Sequence, residues 1–358
     1  MKKWTLGVLG LGEGRSIISA ALQSELYELG NICDLDEILC QTRLEEFGLE
    51  RYTLNYTDML EDPCIDVIGI YTPDQLHKKH MVMAMEAGKD VICTKPLMIS
   101  LDDALELIEV QKRTGKTIFV GQSSRYFEPA IQQRKDYEAG LFGELVQVET
   151  QYITDARWFL DKPWSRQKGF SWMYNFLIHA VDLAVWYLPD IETVYGTGYV
   201  SENTTDFGLE VPDVLSFVLK DRNGKSAIVK GVYAEPVFDY DLEQSISCTL
   251  RGTKGLSRAG YPRLKYQRSF PELDICEVQN YNELHDYYFR FENESHHAGE
   301  YQNYIEEFAQ LMNNNQKPTP DLYEGLRTLA VMEAMEESLV TGGAVHVADI
   351  LSRRKLDI

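Results

Sequence analysis

Cations, paired cysteines and long apolar runs are scarce in this chain, and each shortage removes a class of function. Only 35 lysines and arginines stand against 56 aspartates and glutamates, a net charge of -21. So acidic a surface repels a phosphate backbone and an anionic bilayer, and neither nucleic acid nor membrane is expected as a partner. The 6 cysteines, at 33, 40, 64, 93, 248 and 276, show no C-x-x-C spacing. A disulfide framework and a metal site are therefore not expected, and a reducing, cytoplasmic setting is. The apolar stretch after Met1-Lys2-Lys3 is broken by Glu13 and Arg15, too early for a secretion signal, and no segment reaches membrane-spanning length. Internal repeats and low-complexity tracts are also lacking.

What is present begins with 358 residues, of which 44% are hydrophobic, enough for two cores and thus two domains. Thr5 to Leu9 reads as a buried strand, followed at once by Gly10-Leu-Gly12-Glu-Gly14-Arg15 and a helical pattern over 16–29. This is the setting of a dinucleotide fingerprint. Gly10 suits the tight turn and Gly12 the close approach of backbone to a pyrophosphate at a helix N-terminus. The usual third glycine would fall at 15, where Arg15 stands, with Gly14 one place early. The spacing predicts a helix set slightly further from its strand and an arginine within reach of phosphate. A second short strand over 31–33 ends in Asp34, 22 residues beyond Gly12. A carboxylate there accepts hydrogen bonds from ribose hydroxyls and repels a 2′-phosphate, which favours NAD over NADP.

Further strands over 66–71, 90–94 and 117–121 alternate with helices, predicting a doubly wound parallel Rossmann domain over 1–123. The run Asp90-Val-Ile-Cys-Thr-Lys95-Pro96 stops an apolar strand at an ammonium, at the sheet edge where open α/β folds bind ligands. A lysine so placed can steady the oxyanion that forms as an alcohol becomes a ketone.

After Arg125 the pattern changes. A helix over 129–138 and a half-exposed strand over 145–152 are followed by strands near 193–200, 214–219, 226–233 and 245–251. Successive strands imply an α+β domain over 124–358 with a large, mainly antiparallel sheet, for substrate and oligomerisation. Residues 261–295 give no assignable pattern, and two helices near 299–312 and 322–339 precede a final strand near 342–347. Within this half, Asn175, His179 and Asp182 share one helix face by their spacing of four and three. Imidazole suits removal of a hydroxyl proton near neutral pH, and a neighbouring carboxylate can orient it. Trp158, Trp164, Trp172 and Tyr174 offer aromatic platforms for the apolar face of a sugar ring.

The glycine turn, Asp34, Thr72-Pro73 with His77, the run ending Thr94-Lys95-Pro96, and Arg125-Tyr126 together resemble the glucose-fructose oxidoreductase/inositol dehydrogenase (Gfo/Idh/MocA) family over nearly the whole chain. That resemblance implies that Gly10, Gly12, Gly14, Arg15, Asp34, Thr72, Pro73, His77, Lys95 and Arg125 line the cofactor. It implies Lys95 and His179 as catalytic groups, with Asn175, Tyr126, Trp158, Tyr174 and Asp182 toward substrate. Trp164 and Arg166 resemble the family's Trp-Arg segment beside nicotinamide. Two departures stand out: Thr94 where the family carries glutamate, and Asn175 where it carries aspartate. The expected function is NAD-dependent hydride transfer from a sugar, polyol or cyclitol hydroxyl by a homodimer or homotetramer. The alternatives are a glycoside-cleaving or epimerising enzyme with transient sugar oxidation, and a non-catalytic NAD-binding regulator.

Overall fold

Five short apolar runs pair in parallel: β1 (Trp4–Leu9), β2 (Tyr27–Cys33), β3 (Val67–Ile70), β4 (Asp90–Thr94) and β5 (Ile118–Gly121), in the spatial order β2-β1-β3-β4-β5. Every residue of β3 and β5 is buried, as in a sheet covered on both faces. The register sets Leu9 beside both Cys33 and Ile70, Ile70 beside Cys93, and Thr94 beside Gly121. The carboxyl ends of the strands are thus level, and Gly10, Asp34, Thr72 and Lys95 emerge along one edge. Strand order reverses at β1, with β2 on one side and β3 on the other, so the glycine turn sits at the switch point.

The structure, a computed structural model, describes residues 1–161, 170–281 and 299–358. Trp164 and Arg166 lie outside the described residues. Two compact units emerge, one of Met1–Tyr126 with Asp286–Leu326 and one of Phe127–His285 with Arg327–Ile358.

The first helix spans Gly14–Gln23, shorter than its apolar pattern predicts, because Ser24 turns extended and Tyr27 already pairs with Trp4 in the sheet. A larger difference lies in the helix Glu300–Asn313, which the sequence assigns to the second domain. Its residues Tyr301, Tyr304, Ile305, Phe308 and Ala309 instead join Leu6, Val8, Ile17, Ile18 and Phe119 in the core of the first unit. Counted from Tyr301, the others fall three, four, seven and eight residues on, a single helix face that finds its apolar partner on the parallel sheet. Tyr27 Oη donates to the Ile305 carbonyl at 2.7 Å across the same contact.

The second unit is built on nine strands: β6 (Leu145–Ile153), β7 (Ile191–Tyr199), β8 (Val214–Asp221), β9 (Ser226–Val232), β10 (Ile246–Gly252), β11 (Leu256–Tyr261), β12 (Lys265–Phe270), β13 (Ile275–Asn280) and β14 (Val345–His346). Their order is β13-β12-β11-β10-β6-β9-β8-β7-β14, antiparallel except where β6 meets β9. From Leu215 onward the residues of β8 alternate between buried and exposed, so one sheet face is covered and the other open. The helix Ile178–Tyr187 lies on the covered face over β6, β9 and β10. Strands β12 and β13 occupy part of the stretch that sequence patterning leaves unassigned. The expected last strand is only two residues long and gives way to the helix Val347–Arg353.

Candidate active site

Gly10 leaves β1 with φ +87°, and a Cβ there would lie 2.5 Å from the Tyr71 carbonyl oxygen. Only glycine fits a left-handed turn against neighbouring backbone. Around Gly12 no described atom lies within 4 Å of an added Cβ, which leaves open space where backbone can meet a pyrophosphate. Gly14 opens the helix, and a Cβ there would come within 3.0 Å of Val8 Cγ1. Gly14 therefore performs the close packing of helix on strand, and the wider separation inferred from Arg15 does not arise. Asp34 Oδ2 accepts from the Leu11 amide at 2.7 Å and Oδ1 from the Asp36 amide at 3.1 Å. Lone pairs remain on both oxygens for a ribose diol. With no side chain capping the helix N-terminus, these groups fit a dinucleotide. Arg15 has another engagement: its Nε donates to Glu46 Oε1 at 2.7 Å, and Arg43 holds the other oxygen at 2.9 Å. The guanidinium thus pairs with the Glu46 carboxylate.

Beyond β3, Pro73 is exposed and precedes the short turn Asp74–Leu76. His77 is fully buried, its Nδ1 2.7 Å from the Pro96 carbonyl and its Nε2 2.8 Å from the Thr72 carbonyl. With both nitrogens against backbone carbonyls, the ring ties two loops together. Thr72 Oγ1 meets His80 Nδ1 at 3.0 Å. Burial, then the charges of Lys79 and His77, push His80 down to about 4. It is a neutral partner for Thr72. At the end of β4, burial pushes the Lys95 ammonium down, while the charges of Asp74 and then Glu13 act to hold it up. Glu13 in turn accepts the Tyr301 hydroxyl at 3.0 Å, so the returning helix reaches the glycine turn.

Two residues expected at the ligand are occupied within the first unit. Arg125 is buried and paired with Glu324 Oε1 at 2.8 Å. Tyr126 is buried, its hydroxyl on the Thr319 carbonyl at 3.0 Å and its ring 5.8 Å from Tyr304. A side chain enclosed by its own core has little surface for substrate.

In the second unit a π-helical turn, Met173–Leu177, carries Tyr174 and Asn175 and runs into the helix of His179. Such turns recur at functional sites. The His179 ring meets Tyr152 edge-on at 5.8 Å, and Tyr152 also borders Phe176 and Tyr233 at 5.4 and 6.0 Å. The sequence marks Tyr152 only by its alternation with Val148 and Thr150 along β6. Asp182 is buried and accepts from Thr328 Oγ1 at 3.2 Å, which ties its helix to Leu322–Thr341. The Tyr174 hydroxyl reaches Glu336 at 3.4 Å, and burial, then Glu336, push its pKa up. Trp158 is 55% exposed, whereas Trp172 is fully enclosed and stacked on Tyr233 at 5.2 Å. Of these two indoles, only Trp158 retains an open face.

Comparison with known proteins agrees with this architecture. The family model for the oxidoreductase family with NAD-binding Rossmann fold (GFO_IDH_MocA) matches residues 5–122, and the model for the same family's C-terminal alpha/beta domain matches 134–347. The chain is 24% identical over 351 residues to the uncharacterised oxidoreductase YrbE of Bacillus subtilis, covering 97% of each. It is 24% identical over 232 residues to inositol 2-dehydrogenase of Salmonella typhimurium, covering 64% of this chain and 65% of that one. Levoglucosan dehydrogenase, solved in complex with NADH and levoglucosan, superposes with a TM-score of 0.83 at 20% identity, covering 96% of this chain and 99% of that one. No helix among the described residues is long and apolar enough to cross a membrane. Matched by both domain models, and with a glycine turn shaped for a dinucleotide, the chain belongs to the Gfo/Idh/MocA oxidoreductases, with an NAD-binding Rossmann domain at its amino-terminal end.

Proposed function

We propose that the protein is an NAD-dependent dehydrogenase acting on a hydroxyl of a sugar, polyol or cyclitol. The observation that carries this reading is Lys95, an ammonium on the cofactor edge of the sheet whose tendency to lose its proton on burial is opposed by two carboxylates. The likeness to proteins named for inositol and levoglucosan supports a polyhydroxylated substrate. His179 takes the hydroxyl proton, and Lys95 stabilises the negative charge that grows on the oxygen. Asn175 hydrogen-bonds a substrate hydroxyl through its amide, without the charge that would favour an imidazolium. Tyr152 holds the imidazole ring by its edge. Bound NAD would supply the acceptor for the hydride.

The test is NADH formation across a panel of sugars, polyols and cyclitols. His179→Ala and Lys95→Ala should each lower turnover by about a hundredfold or more while leaving NAD affinity nearly intact. Near-wild-type turnover in both variants would refute the assignment. Tight NAD binding with no reaction on any substrate favours a regulator, and glycoside cleavage without net NADH favours transient oxidation.

A further inference from the structure

Ile70 of β3 lies opposite Cys93 of β4, so the loops that leave these strands, 71–74 and 94–96, start side by side. His77 fastens them through the Thr72 and Pro96 carbonyls. The Lys95 ammonium stems from the residue just before Pro96. An ammonium held only partly exposed at this edge requires an anion beside it. Thr94, preceding the lysine, is uncharged. Glu13 is exposed and already accepts the Tyr301 hydroxyl. Asp74 begins the single turn that joins Pro73 to His77 and is half-buried.

We infer that Asp74 is a positioning residue for Lys95, its carboxylate serving as the counter-ion that keeps the ammonium charged at the end of β4. The electrostatics run both ways, as a pair requires. Asp74 is the larger of the two charges that hold Lys95 up against burial. Burial raises Asp74 itself, and His77 and then Lys95 act to lower it. Asp74 also adds to the burial that raises the neighbouring Cys93 thiol, so the thiol stays neutral beside the pair. With Lys95 read as the group that stabilises the alkoxide, Asp74 sets the upper pH limit of turnover without touching substrate.

The test compares wild type, Asp74→Asn and Asp74→Glu by two readouts: titration of the Lys95 side chain by NMR in lysine-labelled protein, and the pH dependence of kcat. Removing the carboxylate leaves burial less opposed, so Lys95 should lose its proton at lower pH in Asp74→Asn. The alkaline fall in kcat should move down with it, and Asp74→Glu should restore both. Coupling is reciprocal, so Lys95→Met should raise the pH at which Asp74 titrates, a measurement that needs no activity. An unchanged Lys95 titration in Asp74→Asn overturns the pairing, as does an unchanged Asp74 titration in Lys95→Met. If Lys95 titrates lower but kcat does not follow, the pairing stands and the catalytic role of Lys95 falls.

Discussion

Alanine at Gly10 and at Gly12 should separate folding from cofactor binding at two positions only one residue apart. At Gly10 the left-handed conformation costs an alanine about 1–2 kcal/mol. Its Cβ would also stand 2.5 Å from the Tyr71 carbonyl oxygen and 2.8 Å from the Thr72 nitrogen. These are backbone atoms, held because the Tyr71 amide donates to Leu9 and the Gly10 amide to Cys33. Neither can rotate away, and such overpacking adds about 1–3 kcal/mol. The sum, roughly 2–5 kcal/mol, would lower the melting temperature by roughly 5–15 °C. At Gly12 the new methyl meets no described atom, so the fold should be unaffected or gain a few tenths of a kcal/mol from a stiffer unfolded chain. The same methyl occupies the space proposed for pyrophosphate, and NAD affinity should fall at least about tenfold, or 1.4 kcal/mol. Differential scanning fluorimetry without ligand and isothermal titration with NAD measure the two effects. Gly12→Ala with full NAD affinity would refute the placement of the pyrophosphate, and Gly10→Ala melting with wild type would refute the steric account.

Three further outcomes are expected. Wild type should bind NAD more tightly than NADP, and Asp34→Ala should narrow that gap in isothermal titration; equal affinities in wild type would remove Asp34 from the ribose. His80, depressed in the fold to about 4, disfavours protonation, so its contribution is present above pH 6.5 and lost as pH falls toward 4. Its partial access to solvent limits the effect to about 1 kcal/mol, and denaturant melts should show wild type losing that much more than His80→Gln between pH 7 and 4.5. The open face of the second sheet carries Tyr195, Tyr199 and Val218, each 46% exposed or more, and is expected to pair with a second copy of the chain. Light scattering that reports a monomer at micromolar concentration would exclude this.

The parallel sheet is legible in the sequence because its strands are apolar runs interrupted by glycine turns and capped helices, each signal local. Strand β2 is only half visible, since its first residues carry Glu28 and Leu29 in a pattern that continues the preceding helix. Strands β12 and β13 lie at the sheet edge, where polar residues such as Gln267, Arg268 and Glu277 mask the alternation. The glycine turn is a local signal, and the roles proposed for Asp34, Lys95 and His179 rest on residue type and spacing. The engagements of Arg15, His77, Arg125 and Asp182 are not legible in the sequence, because their partners Glu46, Pro96, Glu324 and Thr328 are brought near by tertiary packing. Asp74 is hidden for the same reason: a surface-like acid becomes a counter-ion only once β3 and β4 lie side by side.

The helix Glu300–Asn313 also bears on how the protein is made. The hydroxyl of Tyr27 waits for a carbonyl 278 residues later in the chain. At about 5–20 residues per second on the ribosome, the amino-terminal sheet spends roughly 15–60 seconds with that part of its surface bare. Leu6, Val8, Ile17 and Phe119, destined to lie under Tyr304, Ile305 and Phe308, have no such cover until then. A nascent chain in this condition offers an apolar patch to a chaperone, and a fragment ending at residue 126 would keep that patch permanently. Any attempt to produce the nucleotide-binding half alone must therefore graft the 299–326 segment back onto it.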